Sequence, residues 1–140
     1  MEDILTKATV DGVRIYALRT TNLVREAAKQ HGCSHLASAA LGRAMNGALL
    51  LAAMMKDNER ISLRLKGDGP LGEVVADAEG THVRGYVENP DAFMPLKDGK
   101  LDVGGGIGEG NIIVTRYLQN AEPFTCLLYT SPSPRDGATS

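Results

Sequence analysis

Three side chains that can bind a metal or act as nucleophile and base lie within five residues, in the segment His31-Gly32-Cys33-Ser34-His35. A cysteine just before a helix N-terminus has its thiolate favoured by the helix dipole, and a neighbouring histidine could serve as the base. Structural zinc, however, needs about four tetrahedral ligands, and an enzyme needs an orienting acid and an oxyanion hole. Because the sequence marks none of these, we interpret Cys33 as a packing residue and predict no catalytic or metal-binding residue.

A glycine-rich segment, residues 104–110 (Gly-Gly-Gly-Ile-Gly-Glu-Gly), is the second candidate. A phosphate cradle needs a helix N-terminus behind its glycines, because the N–H groups of that helix bind the phosphate. No G-x-G-x-x-G and no Gly-Lys-Ser/Thr can be read here, and a strand pattern follows. We predict a flexible connection between strands and no cofactor-binding residue, with a small-ligand binding module at 104–110 kept as an alternative.

Carboxylates are frequent in the second half of the chain, but none form a catalytic pair. They alternate with Arg64, Lys66 and Arg84, which is typical of a solvated sheet face. These carboxylates are Asp68, Glu73, Asp77, Glu79 and Glu88.

Composition narrows the function classes further. The chain has 140 residues, 43% of them hydrophobic, which is long enough for one domain with a core. A net charge of -2 and the lack of tryptophan argue against nucleic acid and anionic membranes as partners. Two cysteines are too few for a disulfide scaffold, and the N-terminus lacks a signal-peptide pattern. We therefore expect a cytoplasmic protein.

The first elements should be a hairpin and a helix. Asp11-Gly12 between residues 6–10 and 13–17 is a strong hairpin signal. Thr20 or Thr21 can cap a helix that stops at Gly32, which tolerates the left-handed conformation.

A second helix is predicted from Ser34 to Met55 and is almost uniformly apolar. Its length approaches that of a membrane span, but Arg43 and Asn46 lie near its middle. A charge there costs about 3 kcal/mol on insertion scales. We interpret the segment as a helix buried in protein.

The remainder predicts strands at residues 61–65, 73–77, 82–87 and 111–116, joined by Gly/Pro turns. A hairpin, two helices and then an antiparallel meander indicate a layered α+β domain.

The composition changes after Thr125. Residues 126–140 are rich in Pro and Ser, without core periodicity, and resemble the conceptual translation of a transposase sequencing adapter. We divide the chain into a domain at 1–125 and an artefactual tail at 126–140, which we expect to pack against nothing. A genuine flexible tail is the alternative.

Several stretches, in order and spacing, resemble the redox-regulated heat-shock chaperone family known as the thirty-three-kilodalton chaperonin. They are Arg19-Thr20-Thr21, residues 37–43 (ASAALGR), 67–72 (GDGPLG), 75–78 (VADA), 84–90 (RGYVENP), 99–103 (GKLDV) and 122–125 (EPFT). The resemblance implies an ATP-independent holdase, not an enzyme, whose partners are unfolded client proteins. It also implies a C-terminal zinc domain with C-x-C and C-x-x-C cysteines, which oxidation converts to disulfides with release of zinc.

This chain contains no C-x-C and no C-x-x-C, so no functional residue of the family can be carried onto it. We expect a partial N-terminal chaperone domain without zinc or the redox switch, with a homodimer as one option for its assembly. Without the later strands that the resemblance implies, it should be marginally stable and self-associate. A thiol enzyme that depends on Cys33 remains a further alternative.

Overall fold

The α+β prediction is confirmed by the computed structural model, which describes residues 2–56, 59–118 and 122–129. A two-stranded hairpin and two helices precede a five-stranded antiparallel sheet. The elements are β1 (Ile4–Val10), β2 (Val13–Arg19), α1 (Thr21–His31), α2 (His35–Ala53), β3 (Arg60–Gly67), β4 (Glu73–Glu79), β5 (His82–Val87), α3 (Val103–Ile107), β6 (Gly110–Tyr117) and β7 (Phe124–Tyr129).

The hairpin forms where the sequence predicts it. Asp11 and Gly12 have φ angles of 47° and 81°, so both central turn residues adopt the left-handed conformation that matches strand twist. β1 and β2 pair only with each other among the described strands, and form a sheet separate from the main one. Leu18 at the base of the hairpin packs against the core, which attaches the hairpin to the domain.

Helix α1 lies between Thr20 and Gly32, as predicted, but a different side chain caps its N-terminus. Gly32 has a φ of 62°, and the N–H of Cys33 donates to the Ala28 carbonyl at 2.9 Å, which is the Schellman pattern. At the N-terminus no threonine side chain caps the helix. The Asp3 carboxylate accepts from the N–H groups of Asn22 and Leu23, at 3.1 and 2.8 Å. A cap supplied from so far away in the sequence leaves no local signal.

Helix α2 forms the centre of the core. Ser34 is its N-cap and accepts from the Ala37 N–H at 3.1 Å. The helix packs on β3, β4 and β5, and its side chains at Ala40, Leu41 and Met45 are at most 1% exposed. By length and composition it could cross a membrane, but 61% of its apolar window is buried within the protein, as in a core helix.

The main sheet is antiparallel with the strand order β5-β4-β3-β6-β7. Only β3, β4 and β5 form the predicted meander, because β6 returns to the other edge of β3. Leu63 of β3 pairs with Ala76 of β4 on one side and with Val114 of β6 on the other. β3 is therefore the central strand, which its regular alternation alone does not indicate.

Strand β7 is absent from the predicted elements, and it crosses the expected boundary after Thr125. Its backbone pairs with β6 from Phe124 through Tyr129. The side chains of Cys126 and Leu127 are nevertheless exposed, the latter to 49%, and add little burial. Residues 130–140 lie outside the described part of the chain. The origin of the tail stays a prediction.

Candidate functional site

The segment around Cys33 is a helix–helix junction. Cys33 is partly buried and packs against the core, whereas His31 and His35 are exposed. Burial raises the pKa of the Cys33 thiol, which disfavours the thiolate at neutral pH. Within the described residues no hydrogen bond joins its sulfur to either histidine. Burial therefore works against the activated thiolate that nucleophilic catalysis requires.

The same segment does not fit a zinc site. No group of three or more His, Cys, Asp or Glu side chains could hold a metal ion in the described ranges. Ser34, between the candidate ligands, instead fixes the junction: its N–H donates to the Pro90 carbonyl and its hydroxyl to the Ala92 carbonyl, both at 2.7 Å. These two bonds hold the start of helix α2 against the loop that follows β5.

The glycine-rich segment is packed rather than flexible, so the expectation of a flexible connection was wrong. Residues 103–107 form the short helix α3, and the Asp102 carboxylate accepts from the Gly105 N–H at 3.0 Å. Gly106 is buried, and a Cβ there would lie 2.8 Å from Leu71 Cδ1 and 3.1 Å from Leu36 Cδ2. Long-range contacts of this kind leave no periodic signal in the sequence.

Backbone pairing also holds this segment against the turn after β3. The N–H of Gly69 donates to the Ile107 carbonyl at 2.8 Å, and that of Leu71 to the Gly106 carbonyl at 2.9 Å. A Cβ on Gly69 would come within 2.7 Å of the carbonyl carbon of Ile107. The glycines therefore permit close backbone contact, and the Gly106 and Ile107 carbonyls accept hydrogen bonds within the protein.

The most unusual surface is one face of the hairpin. Cross-strand pairs place Ala8 beside Ile15 and Val10 beside Val13 on the same face. Val10, Val13 and Ile15 are 55%, 60% and 49% exposed. We call Ala8, Val10, Val13 and Ile15 the hairpin face. Large exposed apolar patches of this kind mark interaction sites.

A second apolar surface lies on the loop between β5 and α3. Phe93 is 79% exposed and Leu96 is 62% exposed, although Ala92 and Met94 beside them pack against the core. A tight turn holds the loop, with the N–H of Lys97 donating to the Lys100 carbonyl at 2.8 Å. The loop thus presents an aromatic and an aliphatic side chain to solvent.

The family resemblance implied binding of unfolded proteins, but the sequence did not locate the surface that would bind them. Alternation in β1 and β2 was a usable signal, because it puts Val10 and Val13 on one face of a hairpin with no second layer predicted beside it. Exposure of Phe93 had no such signal, since an aromatic residue in an irregular segment is equally compatible with burial.

Comparisons with known proteins match this architecture. The family model described as Hsp33 protein matches residues 3–130. A 33 kDa chaperonin of Thermus thermophilus is 51% identical over 117 residues, covering 81% of this chain and 34% of the relative. One from Acaryochloris marina is 47% identical over 131 residues, covering 89% and 44%.

The crystal structure of the 33 kDa chaperonin (heat shock protein 33 homolog) from Thermotoga maritima superposes with a TM-score of 0.85 at 38% identity. The match covers 89% of this chain and 44% of that one. The chain thus spans between about a third and a half of the length of the relatives it matches. The matched residues and the shared architecture show that the chain belongs to the Hsp33 protein family.

Proposed function

We propose that this chain is an ATP-independent holdase-type chaperone domain that binds unfolded polypeptides. The observation that carries the proposal is the hairpin face, which exposes contiguous apolar side chains on a regular, well-defined element. Its relatives are named chaperonins, which supports the same class of activity. Binding by apolar contact needs no nucleotide, because the free energy comes from removing apolar surface from water.

The hairpin offers a second mode of attachment besides apolar contact. A two-stranded sheet has two outer edges, and backbone groups along them can pair with an added extended strand. An unfolded client could therefore add a strand to β1 or β2 while its apolar side chains cover Val13 and Ile15. Main-chain hydrogen bonds do not depend on the side-chain sequence of the client, which suits a chaperone that binds varied clients.

The experiment is aggregation of a thermally unfolded client, followed by light scattering without ATP. The double variant Val13→Thr, Ile15→Thr keeps β-branched side chains and removes apolar surface. It should protect less well, with binding weakened by about 2 kcal/mol or less, from roughly 25 cal/mol per Å² of lost apolar area. Tyr86→Thr, an exposed apolar position on β5, is the matched control. Equal protection by all three proteins would contradict the hairpin assignment.

Redox regulation and zinc are proposals for the longer family members. In this chain we propose that no residue is catalytic, cofactor-binding or metal-binding, and that the protein is not an enzyme. Cys33 and Cys126 are both free cysteines, the first at the junction of α1 and α2 and the second on β7. Client protection by this chain should therefore be unchanged by a mild oxidant.

Zinc retention tests the metal part of this proposal. Because His31, Cys33 and His35 do not form a closed set of ligands, the purified chain should lose zinc on dialysis against a mild chelator. Atomic absorption measures the remaining metal, and Cys33→Ala is the control that should give the same value. Stoichiometric zinc in the native chain and its loss in the variant would contradict the proposal.

Partners and compartment complete the proposal. We propose unfolded proteins as clients, a possible homodimer, a cytoplasmic location, and neither nucleic acid nor membrane as a partner. The two alternative functions lack a supporting observation, because burial raises the pKa of the Cys33 thiol and the 104–110 segment is packed against β3 and Leu71. Fractionation of cells producing the chain would test the location.

A further inference from the structure

A groove of about 560 Å³ lies between α1, α2 and the end of β2. Three arginines line it, Arg19 from β2, Arg25 from α1 and Arg43 from α2, and none of its lining residues is Asp or Glu. The whole chain has 17 acidic and only 15 basic residues, so this concentration of positive charge is local. We call it the arginine groove.

The floor of the groove is apolar and closely packed. The helices approach at Gly42, where a Cβ would lie 2.9 Å from Val24 Cγ1. Leu18, Val24 and Ala39 line the same groove. The arginines therefore lie beside apolar side chains in this shallow groove.

Two of the arginines are not engaged elsewhere. Arg19 donates from Nε and Nη2 to the Glu2 carbonyl, at 3.1 and 2.7 Å. Arg25 and Arg43 make no side-chain hydrogen bond or ion pair with any other residue in the described part of the chain. Their guanidinium groups can each offer a bidentate fork to an oxyanion.

Two further polar side chains of the groove are bonded to each other. Thr20 is only 9% exposed, and its hydroxyl donates to the Asn46 Oδ1. The nearby N-terminus of α1 is already occupied, because the Asp3 carboxylate accepts from the N–H groups of Asn22 and Leu23. The anion-binding capacity of the groove thus comes from the arginine side chains and not from the helix end.

We propose that the arginine groove binds acidic segments of polypeptides in which carboxylates flank apolar side chains. The apolar residues around Val24 take the apolar side chain, and Arg25 of α1 and Arg43 of α2 take the carboxylates. An apolar floor favours a polypeptide over a fully hydrated phosphate ligand. The proposal deepens the chaperone function by adding a charge preference among clients, and it rests on that function only for the source of the peptide.

Fluorescence anisotropy with a short labelled peptide of alternating Glu and Leu tests the proposal on the full chain. Arg25→Gln and Arg43→Gln should each weaken binding by about fivefold or less, as for exposed ion pairs. The double variant should weaken it further, and high salt should weaken the native complex. Arg14→Gln, an exposed arginine outside the groove, should bind as the native chain does. Arg43→Lys should fall between native and Arg43→Gln, which excludes misfolding as the cause.

Several results would overturn the proposal. One is equal affinity of the native chain and the double variant; another is equal affinity for the Glu peptide and its Gln analogue. Competition by inorganic triphosphate at lower concentration than the peptide would assign the groove to phosphate ligands instead. The hairpin variant separates the two proposals: if it loses client protection but binds the Glu peptide as the native chain does, the groove is supported independently of the hairpin. If the native chain protects no client at all, that result bears only on the proposed holdase function.

Discussion

At the scale of single residues, environment decides which candidate side chains can react. Cys33 has histidines on both sides in sequence, yet it lies where the chain turns from α1 into α2 and its thiol is partly buried. Desolvation penalises the charged thiolate, so the pKa of Cys33 rises. Cys126 on β7 is exposed and provides a comparison within the same molecule.

We expect Cys126 to react with iodoacetamide faster than Cys33 at neutral pH. Because the pKa of Cys33 is raised, a smaller fraction of its thiol is ionised at neutral pH. The labelling rate of Cys33 should therefore still increase with pH in the alkaline range where the rate of a thiol with an ordinary pKa no longer changes. Mass spectrometry of digested samples gives both rates from one reaction. In urea the two rates should converge. Faster labelling of Cys33 in the folded chain would revive the thiol-enzyme alternative.

At the scale of elements, close backbone contact fixes the packing of α3 against the turn after β3. Gly69 lies at this contact, because a Cβ there would meet the backbone of both Gly106 and Ile107. Backbone atoms cannot rotate away as a side chain can. Moving them would break the hydrogen bond from Gly69 to Ile107.

Gly69→Ala should lower the free energy of unfolding by about 1–3 kcal/mol, the usual range for overpacking. Gly104→Ala is the matched control, since a Cβ at that position of α3 meets nothing within 4 Å. It should leave stability unchanged or raise it slightly, because alanine favours helix over glycine. Urea unfolding measured by circular dichroism compares the two. Similar midpoints for both variants would show that the glycine segment is loosely packed.

At the scale of the whole molecule, the chain has both exposed apolar surface and exposed edge strands. The hairpin face and Phe93 are exposed, and β5 and β7 form the two edges of the main sheet. Exposed edges and apolar patches promote association between copies of a chain. The features that suit client binding are thus the same ones that favour self-association.

We expect the chain to self-associate at micromolar concentration and to unfold at low urea. Ile15→Lys should shift it toward monomer, because a charge on the hairpin face opposes contact between copies. Size-exclusion chromatography with light scattering measures the mass. We further expect a chain ending at Thr125 to show the same self-association, because β6 would then lose part of its pairing with β7 and become an exposed edge of the sheet. A monodisperse native monomer with a cooperative, high-midpoint transition would contradict the expectation.

The sequence by itself determined the elements whose signals are local. Asp11-Gly12 specifies the hairpin turn, Gly32 ends α1, Ser34 begins α2, and alternation marks β3. Each depends on backbone conformation or periodicity within a few residues, which any tertiary context must respect. The stretches that resemble the chaperonin family, in their order and spacing, indicated the family of the chain.

Only the tertiary structure decided what depends on residues distant in sequence. Asp3 caps α1, β6 returns to β3, and α3 packs on the turn at Gly69. The arginine groove joins side chains from β2, α1 and α2, which no spacing in the sequence connects. Such features arise from packing of whole elements, because long-range contacts fix their positions, and their signals are therefore absent from any local window of the sequence.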